Sequence, residues 1–263
     1  MKNISHTKRT ALFAIGDARQ GATSLVGDVL GGRLMAAEIR NFLTKEFCQE
    51  VVTLLETFSI DENYLGGDAS KIGVSAHNKQ NDQPGYFAEV AAHPMLKEPL
   101  MKHLAQVLLD VLGSTGEDRH VEVAQNEMGE LYSPLIVREF HSILHLHNDL
   151  SSREQKGWSP IENVVRQWAF VLKLSNCVGG ETYFYPKRWE VADEIYFNLT
   201  DNYSYDMAVV TEVPELRIDG PTGTLIIFDC TNYHRVSKVT AGRRYTAGGF
   251  IGELPDGRLI IWS

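Results

Sequence analysis

Apolar residues along this chain follow two different rhythms. Phe47, Val51, Val52, Leu54, Leu55 and Phe58 recur at the spacing of one helix face, behind Thr44 as an N-cap and Glu46 in the first turn. Leu100, Met101, Leu104, Val107, Leu108, Val111 and Leu112 repeat that spacing and stop at Gly113. From Val121 onward the apolar runs become short and punctuated. Val121–Val123, Leu135–Phe140, Ile143–His147, Trp168–Leu174, Thr182–Tyr185, Met207–Val213, Leu225–Phe228, His234–Val239, Arg244–Ile251 and Leu259–Trp262 read as strands. Gly179-Gly180, Asp219-Gly220-Pro221, Thr240-Ala241-Gly242 and Pro255-Asp256-Gly257 mark turns between them.

Helices followed by many short strands predict a mainly β protein with flanking helices (α+β). The expected core is an antiparallel double sheet or barrel, with the N-terminal helices packed on one face. The pattern reads as a single domain over residues 1–263, with a helical part over 1–120 and a β core over 121–263. Two stretches lack periodicity. Residues 1–34 are rich in small residues and glycine and read as an irregular arm or edge strands. Residues 66–84 form a polar loop suited to covering a substrate.

Composition narrows the partners. With 43% hydrophobic and 22% charged residues, the chain is ordinary for a soluble globular protein. A formal net charge of −9 and scattered Lys and Arg argue against a nucleic-acid partner. No apolar stretch is long enough to cross a bilayer, and none follows the basic N-terminus as a signal peptide requires. Cys48, Cys177 and Cys230 are widely spaced and odd in number, as free thiols in a reducing compartment are. These features predict a cytoplasmic protein without a nucleic-acid or membrane partner; oligomeric state is not written in them.

The candidate chemistry lies in His145-Leu146-His147-Asn148-Asp149. In an extended strand, residues two apart project to one side, so His145, His147 and Asp149 are expected on a common face. A histidine and a carboxylate so spaced, joined by a second histidine from downstream, make the facial triad that holds non-haem Fe(II) with positions left open. His234 is the best second histidine, since it begins a later strand after the Gly220–Gly223 turn and the strand Leu225–Phe228. Ten residues on, Arg244 begins the return strand of what reads as a hairpin around Thr240-Ala241-Gly242. Its guanidinium is suited to gripping a carboxylate bidentately, and Thr246 on the same face can add a hydroxyl.

The ordered set His147-x-Asp149, Gly179-Gly180-Glu181-Thr182, Gly223 to Phe228, and His234-x-Val236-x-x-Val239-x-x-Gly242-x-Arg244-Tyr245 resembles the Fe(II)/2-oxoglutarate-dependent dioxygenase superfamily, in its prolyl-hydroxylase-like branch. The resemblance covers Ile136 to Phe250 and implies a double-stranded β-helix, or jelly roll. It implies iron held by His147, Asp149 and His234, 2-oxoglutarate held through Arg244 and Thr246, and O2 as the oxidant. From Gly179 onward the chain is also similar to the stand-alone indole-alkaloid halogenases of this superfamily, in His234-Arg235-Val236, Gly248 to Gly252 and Trp262. Those halogenases carry glycine at the carboxylate position, which opens an iron site for chloride; Asp149 therefore implies a hydroxylase.

Alternatives stay open at this point. A register slipped by two makes His145 the first ligand and His147 the second, giving a three-histidine site; His147 with Asp149 matches the common pattern directly. The substrate reads as a free amino acid or natural-product intermediate, against a protein residue, or against a metal-binding jelly roll without turnover. His6, His77, His93, His103, His120 and His141 read as structural, His145 as structural or as support for the metal ligands, and Arg243 as a solvated neighbour. Trp168, Tyr183 and Trp189 are candidates for lining a substrate cavity.

Overall fold

A computed structural model describes residues 12–62, 69–115 and 120–263. Strand β1 (Phe13–Asp17) leads into helix α1 (Ala22–Leu30), then β2 (Ala36–Arg40), α2 (Lys45–Leu55) and β3 (Ala69–Ile72). Three helices follow, α3 (Gln83–Ala92), α4 (Pro94–Lys97) and α5 (Pro99–Gly113), before β4 (Val121–Val123), β5 (Ile136–Phe140) and β6 (Leu144–His147). The rest is short α6 (Ser151–Glu154), β7 (Arg166–Lys173), β8 (Cys177–Gly179), β9 (Thr182–Arg188), β10 (Leu216–Ile218), β11 (Leu225–Phe228), β12 (Asn232–Val236), β13 (Val239–Gly242), β14 (Arg244–Glu253) and β15 (Leu259–Trp262).

Among the described residues the strands form a major sheet of nine, a minor sheet of four and a two-stranded ribbon. The major sheet runs β1-β2-β11-β7-β14-β15-β4, with β5 and β3 continuing beside the first half of β14. The minor sheet runs β10-β9-β12-β6 and faces it, completing the jelly roll expected from the sequence.

Both helix predictions are met, and Thr44 caps α2 by accepting from the Phe47 N–H at 3.1 Å. Cys48, Val51 and Leu55 of α2 and Met101, Leu104 and Leu108 of α5 are buried in one cluster with Trp168, Phe170 and Leu172 of β7 and Ala247 and Ile251 of β14. The period-2 alternation of β7 and β14 thus gives one face to the helices. The opposite face presents Ala169, Val171, Arg244, Thr246 and Phe250 to a cavity between the sheets.

Several expectations change. Of the two readings of 1–34, edge strand holds in β1, which lies parallel to β2, while α1, whose Val26, Val29 and Leu30 are buried, was not expected. Residues 1–11 lie outside the described residues. Because β1, β2 and β3 join the major sheet, the part expected to be helical over 1–120 also supplies sheet. Of the loop expected over 66–84, residues 66–68 lie outside the described residues; the rest contains β3, paired with β5, and a 3-10 turn at His77–Lys79. Met207–Val213 is no strand, since Met207–Val210 forms a 3-10 helix in which the Asp206 carboxylate accepts from the Ala208 N–H at 2.8 Å. No helix of the described residues is long and apolar enough to cross a membrane.

Candidate metal centre and its cavity

His147 and His234 face each other as cross-strand partners of β6 and β12, with ring centroids 4.2 Å apart. Asp149 lies just past the end of β6. Its N–H donates to the Cys230 carbonyl at 2.9 Å, which ties it to the turn entering β12, and its Oδ2 lies 3.2 Å from His234 Nε2. One donor atom from each of the three residues falls within 4.8 Å of the others.

The β6–β12 register explains why these residues, and not His145, come together. His234 pairs with His147, but Val236 pairs with Leu144, so two steps on β12 oppose three on β6. This bulge interrupts the alternation. Leu144 and His147 both line the cavity, Leu146 packs into an apolar cluster behind the sheet, and the side chain of His145 is exposed. The expectation that His145, His147 and Asp149 share one face is therefore corrected. His145 contributes through its backbone: its carbonyl accepts from His147 Nδ1 at 2.7 Å, as the Asn232 carbonyl accepts from His234 Nδ1 at 3.0 Å. With Nδ1 of each ring engaged by a carbonyl, Nε2 is the atom each histidine has left for a cation.

The electrostatics suit a cation. Burial, together with the His234 charge, pushes His147 down to about 4, so this ring is neutral at physiological pH. Burial opposes ionisation of Asp149, but the hydrogen bond from His234 and the charges of His147 and His234 outweigh it and hold the carboxyl at about 2. Two imidazoles and one anionic carboxylate on one side, with cavity on the other, are the donor set of a facial iron(II) site.

Arg244 is 2% exposed and lines the same cavity. Its Nε donates to the Gly180 carbonyl at 2.9 Å, and its guanidinium carbon lies 4.9 Å from the centre of the Phe140 ring. Burial drags its pKa down to about 10, and no carboxylate of the described residues pairs with it. A buried guanidinium without a protein anion fits the carboxylate of a bound co-substrate. Thr246, 2% exposed, faces the same space two residues on. Gly180 is more than a turn residue: its φ is +72°, and a Cβ there would lie 2.6 Å from Arg244 Cδ.

The hairpin expected to join His234 to Arg244 does not form. Their strands lie in different sheets, and β13 between them pairs with β8, so the two residues meet across the cavity. Arg243 points away and pairs with Glu139 and Glu56. Trp168 packs toward the helices, Trp189 donates to Glu194 beside a separate groove, and Tyr183 stacks under Arg235, so none of the three lines this cavity.

The cavity holds about 440 Å³. Its walls include residues that sequence reading missed: Arg138 and Phe140 of β5, His77, and the Arg153-Glu154-Gln155 run. Period-2 parity points to Arg138 and Phe140, which share a face of β5. His77 and the run after Asp149 carry no such signal, because tertiary packing alone turns them inward.

Comparison with known proteins agrees with this geometry. The model of the family described as carrier-protein-independent halogenase WelO5 matches residues 15–263. The L-gamma-glutamyl-L-propargylglycine hydroxylase of Streptantibioticus cattleyicolor is 31% identical over 130 residues, 49% of this chain and 47% of that protein. The match thus spans about half the length of that relative. Leucinostatins biosynthesis cluster protein S of Purpureocillium lilacinum is 25% identical over 210 residues, 73% of this chain and 84% of that protein. Among solved structures, an N-substituted L-amino acid dioxygenase from Burkholderia ambifaria, in complex with alpha-KG, aligns with a TM-score of 0.60 at 14% identity over 90% of each chain. The two share a fold.

Proposed function

The chain belongs to the carrier-protein-independent halogenase family, within the 2-oxoglutarate- and iron-dependent oxygenases, and from that premise we propose that it hydroxylates an unactivated C–H bond of a free small molecule. The observation that carries this reading is Asp149, a carboxylate set 3.2 Å from His234 and within ligand distance of His147. It fills the position that glycine leaves to chloride in the halogenases this chain resembles. The hydroxylase name of the Streptantibioticus relative agrees with that choice.

In this reading His147, Asp149 and His234 hold the iron, and Arg244 with Thr246 holds the far carboxylate of 2-oxoglutarate. When bound, iron, 2-oxoglutarate and O2 supply an oxidant for the C–H bond and leave succinate and CO2. The protein's part is geometric. The carbonyls of His145 and Asn232 fix the two imidazoles, the Cys230 carbonyl fixes the Asp149 backbone, and the Gly180 carbonyl fixes Arg244. Phe140, Leu144, Phe228 and Val236 add apolar surface to the cavity that the metal site and Arg244 share.

The test is aerobic incubation with Fe(II), 2-oxoglutarate, chloride and a panel of free amino acids and dipeptides, read by succinate release and product mass. A product heavier by one oxygen atom is expected. A chlorinated product from the wild-type chain overturns the hydroxylase reading, and tight iron binding with no succinate from any compound favours a binding protein.

A further inference from the structure

The strand register gives the cavity two ends. Along β14, Arg244 lies opposite Phe140, while Gly252 lies opposite Gln167 of β7. Those positions are eight residues apart, roughly 26 Å along an extended strand. The metal site lies between them: the Phe228 ring centre is 4.9 Å from that of His234, and Phe228 pairs with Ala169, which pairs with Phe250. Arg244 and Thr246 serve the first end. The reaction as described makes no use of the polar groups at the second.

That second end is built by α6 and the residue following it. The Ser151 N–H donates to Gln167 Oε1 at 2.8 Å, which anchors α6 to β7. Arg153 stacks over Trp189, its guanidinium carbon 4.6 Å from the ring centre, and gives one Nη2 hydrogen bond to the Glu154 carboxylate. Arg153 Nη1, Gln155 Oε1 and both amide atoms of Asn148 are buried without a hydrogen-bond partner in the protein. Gln155 and Asn148 are each 4% exposed, and all four residues line the cavity. Buried polar groups left unpaired are costly, and several of them lining one cavity fit a ligand that carries both donors and acceptors.

Charge selects the ligand class. A lone cation at this end would confront Arg153, and a lone anion would confront Glu154. A zwitterion satisfies both, with its negative group on Arg153 and its positive group on Glu154. We propose that Arg153, Glu154, Gln155 and Asn148 form a head-group subsite for an α-amino acid, a reading that rests on the oxygenase function argued above. The substrate carboxylate takes Arg153 Nη1 and the Asn148 amide N–H; the substrate ammonium donates to Glu154 and Gln155 Oε1. A head group held there points the substrate's side chain at the metal site, so the C–H bond attacked lies on the side chain.

The test uses the wild-type protein with Fe(II), 2-oxoglutarate and O2, and the proteinogenic L-amino acids and γ-glutamyl dipeptides as probes. The compound that most stimulates succinate release is compared with its N-acetyl derivative and its methyl ester. Each derivative should raise apparent KM roughly tenfold or more, as loss of one charge-assisted contact does. Glu154→Gln should erase the penalty for N-acetylation, and Arg153→Gln the penalty for esterification. Derivatives that work as well as the parent overturn the subsite, as does a panel in which nothing stimulates turnover. Failure of the oxygenase reading looks different: no succinate forms with or without any compound. Because the derivative comparison uses unaltered protein, a variant that does not fold leaves the test intact.

Discussion

The two faces of β7 and β14 carry opposite burdens on the same backbone. Toward the helices, Trp168, Phe170, Leu172, Ala247 and Ile251 are buried together in one apolar cluster. Toward the cavity, Ala169, Val171, Arg244 and Thr246 leave space and include a buried cation without a protein anion. One face holds the fold together; the other stores unsatisfied polarity for ligands. Substitutions on the two faces should therefore fail in different assays.

The largest effects belong to the candidate metal site. Asp149→Ala and His234→Ala should reduce succinate release to background and abolish iron retention, measured by metal analysis after desalting, while the far-UV spectrum stays native. Full activity in Asp149→Ala would remove the ligand assignment. Next comes Arg244→Met. Losing a buried charged contact costs about 2–5 kcal/mol, or roughly 30-fold and more in the KM for 2-oxoglutarate. Its melting temperature without 2-oxoglutarate should hold or rise, because the burial that lowers the Arg244 pKa is unfavourable in the unliganded protein.

Leu172→Ala on the helix face should do the reverse, losing about 2–5 kcal/mol of stability by denaturant titration while the folded fraction keeps its KM. Gly180→Ala is milder: its Cβ presses on Arg244 Cδ, so a several-fold rise in the KM for 2-oxoglutarate is expected with kcat little changed.

The smallest effect is a pH dependence of the metal-free protein. His147, depressed from 6.5 to about 4, contributes stability that is present above pH 6.5 and lost as pH falls toward 4. Glu154, raised from 4.5 to about 7 by burial and the Asp149 charge, works oppositely: its contribution is present below pH 4.5 and lost as pH rises toward 7. The two offset each other between pH 7 and 5. Glu154→Gln removes one of them, so the melting temperature of that variant should fall more steeply over this interval than that of the wild type. An equal slope would place the titration elsewhere.

Local and chemical features were legible in the residues alone. Helical spacing placed α2 and α5, punctuation placed most strands, and His147, Asp149, His234 and Arg244 stood out by residue type and spacing. Parity along β14 also put Arg244 and Thr246 on one side and Arg243 on the other, because alternation is a property of a single strand. The tertiary structure decided whatever depended on a partner strand. The bulge of β6 against β12 turned His147 into the cavity and left His145 exposed, and His145–Asp149 alone does not reveal a bulge, since it is a mismatch between two strands distant in sequence. The same holds for His234 and Arg244, which sequence proximity suggested as a hairpin and sheet pairing placed on opposite walls. It holds again for Arg153, Glu154 and Gln155, a polar run without periodicity that the packing of α6 against β7 turns into the cavity. Ligand identity is written in side-chain chemistry, but the face a side chain occupies is settled by long-range pairing.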